Sequence, residues 1–540
     1  MSISSKECRF AVHIPSNHPD KPDIHMVKEQ VLMEDGSTHP NIHFIKDFKR
    51  DFYVTKPQSR NHTQKKEYEH MSKLDKYTCT QSDIVDRLKV ILDRQWSNDR
   101  LRQLASSPYA YGADITSTAL IKRAYKDKYP DDITPYNVAV LDIETDVLHG
   151  TEDILMVTIT TATKIVTAVV GSFVSGFAKP VDEVYKAINQ HIGEYTKNSD
   201  IEVVIVDTPA DAIKAVFKRA HEWKPDWMAI WNIDFDLPRI LKALKDANIN
   251  AADIISDPKV PKGYRVLRYK EGIKKKTTAS GKVIPISPAM QWHTVKSTSS
   301  FTFIDAMCVY KQLRLVQAEE PSYSLDAILN KELGIRKLKF DAADQYTGLK
   351  WHQVMQSKYK IEYIVYNIFD CLGVIELDKK TKDLALTLPM FAGITDFDQF
   401  KSQPKRIMDA MYMYLLKRDY VLGSGTIPDS EKIDTLGLDN WILTLPSHLS
   451  SLGLSLIEED STIRTNIRTH VMDSDAVSAY PSSTIALNVS KSTTSKEIST
   501  IKGVPLATFT HHNLDILLGN CNSSTYSIGM FNMLPPTDLL

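Results

Sequence analysis

Hydrophobic and polar positions run along this chain in two textures. Up to about residue 134 the pattern is mixed and polar, with helical spacing expected over 82–101 and 117–125. From Tyr136 it turns into short apolar runs alternating with amphipathic stretches. Strands are expected over 138–143, 154–160 and 164–170, the last two joined by a short turn. A helix over 181–194, a strand over 201–206, a helix over 210–223, a strand over 227–231 and a helix over 237–247 follow. A β-hairpin is expected over 263–285, with arms at 264–269 and 282–284 and a tip running from Lys274 to Gly281. Beyond it come a strand over 301–305 and a long helix over 361–380. The stretch 388–435 reads as mostly helical, with its clearest apolar face over 407–416. After Gly453 strand-like alternation returns and ends at Asp475, and the Ser/Thr-rich stretch 490–500 reads as surface segment. Antiparallel strands followed by β-α-β-α define a mixed α/β class and fit the order of a ribonuclease-H-like fold, which gathers carboxylates at one end of a central strand.

At 540 residues the chain exceeds one ordinary core, so several domains are expected. Apolar residues make up 42% and charged residues 25%, a globular profile, and the most apolar window, 159–178, is broken by Lys164. No membrane association is expected. The net charge of −1 places any nucleic-acid binding on local patches. One candidate is the stretch 44–66, where Phe44, Phe48, Phe52 and Tyr53 are interleaved with lysines and arginines. A solvated loop is its plain alternative. The five cysteines are scattered, which suggests neither a zinc site nor a disulfide framework and fits a reduced, cytoplasmic setting.

Candidate chemistry is concentrated in Val138-Ala-Val-Leu-Asp-Ile-Glu-Thr-Asp146. In a strand Asp142 and Glu144 share a face while Leu141 and Ile143 take the other. Two adjacent carboxylates repel unless a divalent cation lies between them. Asp236, in Trp231-Asn-Ile-Asp-Phe-Asp-Leu-Pro238, reads either as a third acidic ligand or as a helix N-cap with Pro238 in the first turn. In Tyr366-Asn-Ile-Phe-Asp370, Tyr366 and Asp370 share a helix face amid apolar neighbours, where a carboxylate is costly without a cation or donors. Asp142, Glu144, Asp236 and Asp370 together make an all-oxygen set suited to Mg²⁺ or Mn²⁺. Two such ions roughly 3.5–4 Å apart clamp the attacking and leaving oxygens in phosphodiester hydrolysis. A tyrosine hydroxyl on the same face, that of Tyr366, suits orienting the attacking water. The basic hairpin tip with Lys274, Lys275 and Lys276 reads as a DNA contact or as a solvated turn.

These segments resemble the three exonuclease motifs of family B DNA polymerases, in order and with compatible spacing. The resemblance implies that Asp142, Glu144 and Asp370 hold one metal, that Asp142 and Asp236 hold a second, and that Tyr366 positions the water. Asn232 and Phe235 match the second motif, which usually has one more residue between its Asn and its Phe, and both would meet DNA. Pro321-Ser-Tyr-Ser-Leu-Asp326 and Gly334-Ile-Arg-Lys-Leu-Lys339 also look like the proofreading domain of T-even phage polymerases.

Val471-Met-Asp-Ser-Asp-Ala-Val-Ser-Ala-Tyr-Pro-Ser482 resembles the first palm motif of the same family. By that likeness Asp475 is a polymerase metal ligand, the backbone from Asp475 to Tyr480, passing Ser478, meets the triphosphate, and Tyr480 lies under the incoming sugar. Ala476 and Ala479 depart from the pattern. No Asp-Thr-Asp occurs, and the fingers lysine has no counterpart, Leu518 standing in its place. The expected organisation is an N-terminal domain over 1–134 completed by about 385–445, an exonuclease domain over 135–384, and the first part of a palm over 446–540. The expected activity is 3′→5′ proofreading of a single-stranded primer end. Polymerisation of dNTPs on a primer-template is not expected of this chain alone: it reads either as one part of a split polymerase completed by a second chain, through which a sliding clamp would also act, or as a truncated piece. The alternatives are a stand-alone 3′→5′ exonuclease, or a non-catalytic DNA-binding or assembly subunit.

Overall fold

The computed structural model describes residues 2–15, 22–63, 65–130, 134–277, 282–343 and 345–423, and the backbone of three later strands. The chain divides into two compact units, Met1–Gly425 and Thr426–Leu540.

The first unit begins with an antiparallel meander of β1 (Ile3–Ile14), β2 (Ile24–Met33) and β3 (Thr38–Lys46). β4 (Arg50–Thr55) is the middle strand of a second sheet. β5 (Tyr68–His70) lies outside that sheet, while β6 (Leu74–Cys79) and β7 (Ala110–Tyr111) flank β4. Part of the basic stretch 44–66 is built into this sheet, while Lys46 and Lys49 stay exposed. Phe52 is fully buried, and the Arg50 guanidinium turns inward to the carbonyls of Gly112 (2.7 Å) and Ile115. Lys65 donates to the carbonyls of Ala105 and Ala110, and burial lowers its ammonium pKa to about 8. These cations satisfy orphan backbone acceptors.

The helix expected over 82–101 is two: α1 (Ile84–Ile91) and α2 (Leu101–Ala105). Asp93 takes a positive φ of 54° just past α1, and Trp96 is 99% exposed, so no apolar face carries the helix across. α3 (Ser117–Lys128) is capped by the Thr116 side chain and packs on β1.

A six-stranded mixed sheet follows. Its strands are β8 (Val138–Thr145), β9 (Ile154–Thr160), β10 (Lys164–Val170), β11 (Asp200–Val206), β12 (Trp227–Ile230) and β17 (Thr302–Asp305), in the order β11-β10-β9-β8-β12-β17. β9 runs antiparallel to both neighbours, and the other pairings are parallel. α4 (Pro180–Thr196) and the long α11 (Lys360–Thr381) pack against Met156, Ile165 and Val169 on one side. α5 (Pro209–Trp223) and α6 (Ile233–Asp246) pack against Leu141, Ile143, Val157 and Ile159 on the other. Covering both faces is what makes β9 and β10 near-continuous apolar runs. Between α6 and β17 the chain forms α7 (Ala251–Ile255) and short strands β13 (Leu267–Lys270), β14 (Lys275–Thr277), β15 (Val283–Pro285) and β16 (Thr294–Ser297).

The expected single hairpin is two ribbons: β13 pairs with β16, and β14 with β15. Lys274 therefore stands at the root of the outer ribbon rather than at its tip. Then come α8 (Ala306–Leu313), α9 (Leu325–Leu333) and α10 (Gly348–Lys358), and, after α11, α12 (Leu388–Ala392) and α13 (Gln403–Leu416). α13 buries Asp409, Tyr412 and Met413 and leaves Ile407, Met411 and Tyr414 exposed, so the face expected inside is rotated outward. The helix does not continue: β18 (Tyr420–Leu422) returns to pair with β5.

In the second unit β19 (Thr494–Ile501), β20 (Val504–His512) and β21 (Ser523–Ile528) form an antiparallel sheet, so the Ser/Thr-rich segment supplies a strand. Asp475, Ser478 and Tyr480, with the palm segment expected around them, lie outside the described residues.

Candidate metal centre

The site is built on the carboxyl end of β8. Leu141 and Ile143 are buried against α5 and α6, and each contributes ~1.5–3 kcal/mol of hydrophobic anchoring. The strand's period of two then turns Asp142 and Glu144 to the opposite face, toward α11. β12 pairs with β8 only from Val138 to Val140, which leaves the end of β8 projecting beyond its neighbour. Asp236 fills that gap, its Oδ1 accepting the Ile143 N–H at 3.2 Å.

Asp236 is not a helix cap. α6 begins at Ile233, three residues before it, with Asn232 at the N-cap position and Pro238 inside the helix. The early start follows from β12 ending at Ile230 and from Asp305, at the end of β17, accepting the Ile233 N–H at 3.3 Å. Asp236 is thus delivered as a buried side chain of the first helical turn. Asn232 is half-buried, and Phe235 is exposed with the Arg239 guanidinium stacked on its ring at 3.9 Å.

α11 supplies the third wall. Tyr363, Tyr366, Asn367 and Asp370 recur at i, i+3, i+4 and i+7, one stripe of a helix. Tyr363 donates its hydroxyl to Glu144 Oε2. Asn367 Nδ2 donates to Asp142 Oδ2 at 2.6 Å. One carboxylate oxygen from each of Asp142, Glu144 and Asp370 falls within 4.8 Å of the others. Asp370 Oδ1 is buried with no hydrogen-bond partner, an acceptor that the protein itself leaves unsatisfied. α10 backs this wall: His352 Nδ1 lies 2.8 Å from the Tyr363 hydroxyl, and Gln356, one turn on, holds the backbone of Thr145, Val147 and Leu148.

The electrostatics match an oxygen-ligand site for a cation. Burial, then mutual repulsion among the carboxylates, raises Asp142 well above the usual range. Burial takes Glu144 to about 8 and Asp236 to about 7, and raises Asp370 as well. Lys337 partly offsets the negative charge. Its Nζ lies 2.5 Å from Asp370 Oδ2 and 3.0 Å from the Tyr366 hydroxyl. Burial and the neighbouring Asp370 push the Tyr366 phenol well above its ordinary value, so it is neutral at physiological pH. Four carboxylates and an orphaned acceptor, with no thiolate or neutral imidazole among the donors, fit a hard divalent cation.

Lys337, Tyr363, Asn367 and His352 were not singled out by motif spacing. Tyr363 and Asn367 carried a detectable signal, the helical stripe through Asp370. Lys337 falls inside the segment 334–339 that resembles the proofreading domain, but no periodicity marks it as a site residue, because it sits in a loop after α9. There Gly334, at φ +71°, ends the helix, and Asp326 accepts the Lys337 backbone N–H at 2.9 Å. The hairpin lysines are divided: Lys274 is ion-paired, whereas Lys275 and Lys276 are exposed.

No helix among the described residues is long and apolar enough to cross a membrane. No protein-family model matches the chain. Over 205 residues, 38% of its length, the chain is 28% identical to the DNA-directed DNA polymerase of Escherichia phage RB69, and the matched stretch spans 19% of that relative.

Proposed function

We propose that this chain is the N-terminal part of a family B DNA-directed DNA polymerase and carries its 3′→5′ proofreading exonuclease. The observation that carries the reading is the convergence of Asp142, Glu144 and Asp370, from two distant segments, to within 4.8 Å, with Asp236 bonded to the same strand. The similarity to a phage DNA polymerase supports it, and the sheet order supports a ribonuclease-H-like exonuclease domain over 135–384.

In this reading Asp142, Glu144 and Asp370 hold one divalent ion, and Asp142 and Asp236 a second. Bound there, the ions would polarise the terminal phosphodiester and lower the pKa of the attacking water. The chain's own groups do the rest. Tyr366, neutral, orients the water by hydrogen bonding and does not take its proton. Lys337 balances negative charge that grows on the phosphate in the transition state. Tyr363 and Asn367 fix the rotamers of Glu144 and Asp142 before the substrate arrives. Asn232, and Phe235 with its stacked Arg239, stand at the start of α6 to receive a single-stranded 3′ end by stacking and phosphate contact. A palm segment over 446–540, with Asp475, Ser478 and Tyr480 at a dNTP, would work with a second chain, and a sliding clamp would act through that chain.

The test is incubation of the purified chain with a 5′-labelled oligonucleotide and Mg²⁺ or Mn²⁺. Stepwise release of 3′ mononucleotides, absent in Asp142→Ala, is expected. Release from the 5′ end, or release that survives Asp142→Ala, contradicts the reading.

A further inference from the structure

The outer ribbon β14–β15 stands on a latch. Asp234, in the first turn of α6 and two residues before Asp236, accepts the Lys274 ammonium at 2.9 Å and the Tyr269 hydroxyl at 3.1 Å. Tyr269 lies on β13, which pairs with β16, and its hydroxyl also lies 2.9 Å from His293 Nδ1. The same nitrogen accepts the backbone N–H of Gly272 at 3.2 Å, which ties the turn leading into the ribbon to the same cluster. Glu271 shares the Lys274 ammonium at 3.2 Å. Every described residue of β14 is exposed, and among the described residues no acidic partner lies within ion-pairing distance of Lys275 or Lys276.

Lys274 is therefore committed to the protein, while the next two cations are presented to solvent by a strand whose root is fixed one residue from Phe235. A two-stranded ribbon with few packed contacts has little stability of its own. Its direction is set by what holds the root.

We propose that Asp234 is a positioning residue for DNA: by holding Lys274 and Tyr269 it aims the outer ribbon so that Lys275 and Lys276, on opposite faces of β14, contact phosphates on either side of the ribbon in the strand whose 3′ end enters the carboxylate site. The proposal rests on the exonuclease reading above for the identity of the ligand. It separates the basic run 274–276 into one structural lysine and two that meet phosphate.

The latch makes a prediction of unusual sign. Removing an acid near a polyanion ordinarily tightens binding, whereas Asp234→Asn should weaken it. The experiment measures binding of a fluorescent oligothymidylate to the full chain by anisotropy, in Ca²⁺, across a salt series. Each phosphate contact to a single strand contributes a slope of about 0.7 in log K against log salt. Asp234→Asn should flatten the slope by about 1.4, as should Lys275→Gln/Lys276→Gln, and the triple variant should be no flatter. Lys274→Met offers a second measurement that leaves α6 untouched: the latch predicts a loss of about 1.4, a lysine touching one phosphate itself about 0.7. Tighter binding or an unchanged slope in Asp234→Asn, or a further loss in the triple variant, overturns the latch while leaving the exonuclease reading in place. Failure of the unaltered chain to bind the oligonucleotide in a salt-dependent way overturns both.

Discussion

Lys337 and Asp370 form a short ion pair, 2.5 Å from Nζ to Oδ2, inside a cluster that otherwise holds only acids and neutral donors. The lysine occupies one oxygen of Asp370 and leaves the other without a partner. It thus supports the carboxylate in the metal-free chain without closing it to a cation. Lys337→Met should lower the rate of nucleotide release by ~10²-fold, the usual scale for removing a preorganised charge from a transition state. Metal half-saturation should be unchanged or improved, since a competing cation is gone. A weaker metal affinity with unchanged turnover would assign the lysine to the wrong step.

The Asp142 carboxyl is repelled by Asp236, Asp370 and Glu144 on top of its burial cost. Asp142→Asn should therefore abolish hydrolysis and yet stabilise the metal-free chain at pH 8. Asn367 keeps a partner in the new side-chain carbonyl. In a unit of this size a gain of about 1 kcal/mol would move the thermal midpoint up by ~1 °C. A fall in midpoint would mean that the repulsion is already relieved some other way.

The pH dependence has a definite sign. Glu144 at about 8 and Asp236 at about 7 bind protons more tightly folded than unfolded. The folded state therefore holds extra protons between the unfolded carboxylate range, near 4, and about 8. The stability of the metal-free chain should fall as pH rises through that window. Mg²⁺, which needs the ionised forms, should restore it, with an effect on thermal midpoint larger at pH 8 than at pH 5. Equal stabilisation at both values would speak against these carboxyls as the binding site.

Tyr363 donates to Glu144 and is itself met by His352 and Gln356. Tyr363→Phe should weaken metal binding by ~10-fold, the lower end of what outer-shell partners contribute. Isothermal titration with Mn²⁺ reads this directly, and an unchanged affinity would reduce the tyrosine to packing.

Much of this architecture was legible in the chain's periodicity. The run from β8 to β12 stood out because its strands are buried on both sides and its helices carry apolar faces. Asp142 and Glu144 followed from a period of two, and Asp370 from a carboxylate set among Ile364, Val365, Ile368 and Phe369. What was illegible depended on tertiary contacts. Lys337 reaches the site from a loop, where no periodicity marks a residue. Asp236 reads locally as a cap, since nothing in its own segment reveals that Asp305 supports an earlier helix start. The inward turn of Arg50 and Lys65 was hidden for the same reason: a basic run looks solvated until orphaned carbonyls are found to accept it.

The most direct test of the central claim is Mn²⁺ binding by the unaltered chain and by Asp142→Ala, Asp236→Ala and Asp370→Ala, followed by electron paramagnetic resonance at saturating metal. Two sites in spin-coupling range are expected in the unaltered chain, both lost in Asp142→Ala, with one remaining in each of Asp236→Ala and Asp370→Ala. A single uncoupled site, or full binding retained in Asp142→Ala, would contradict a shared two-ion centre at the end of β8.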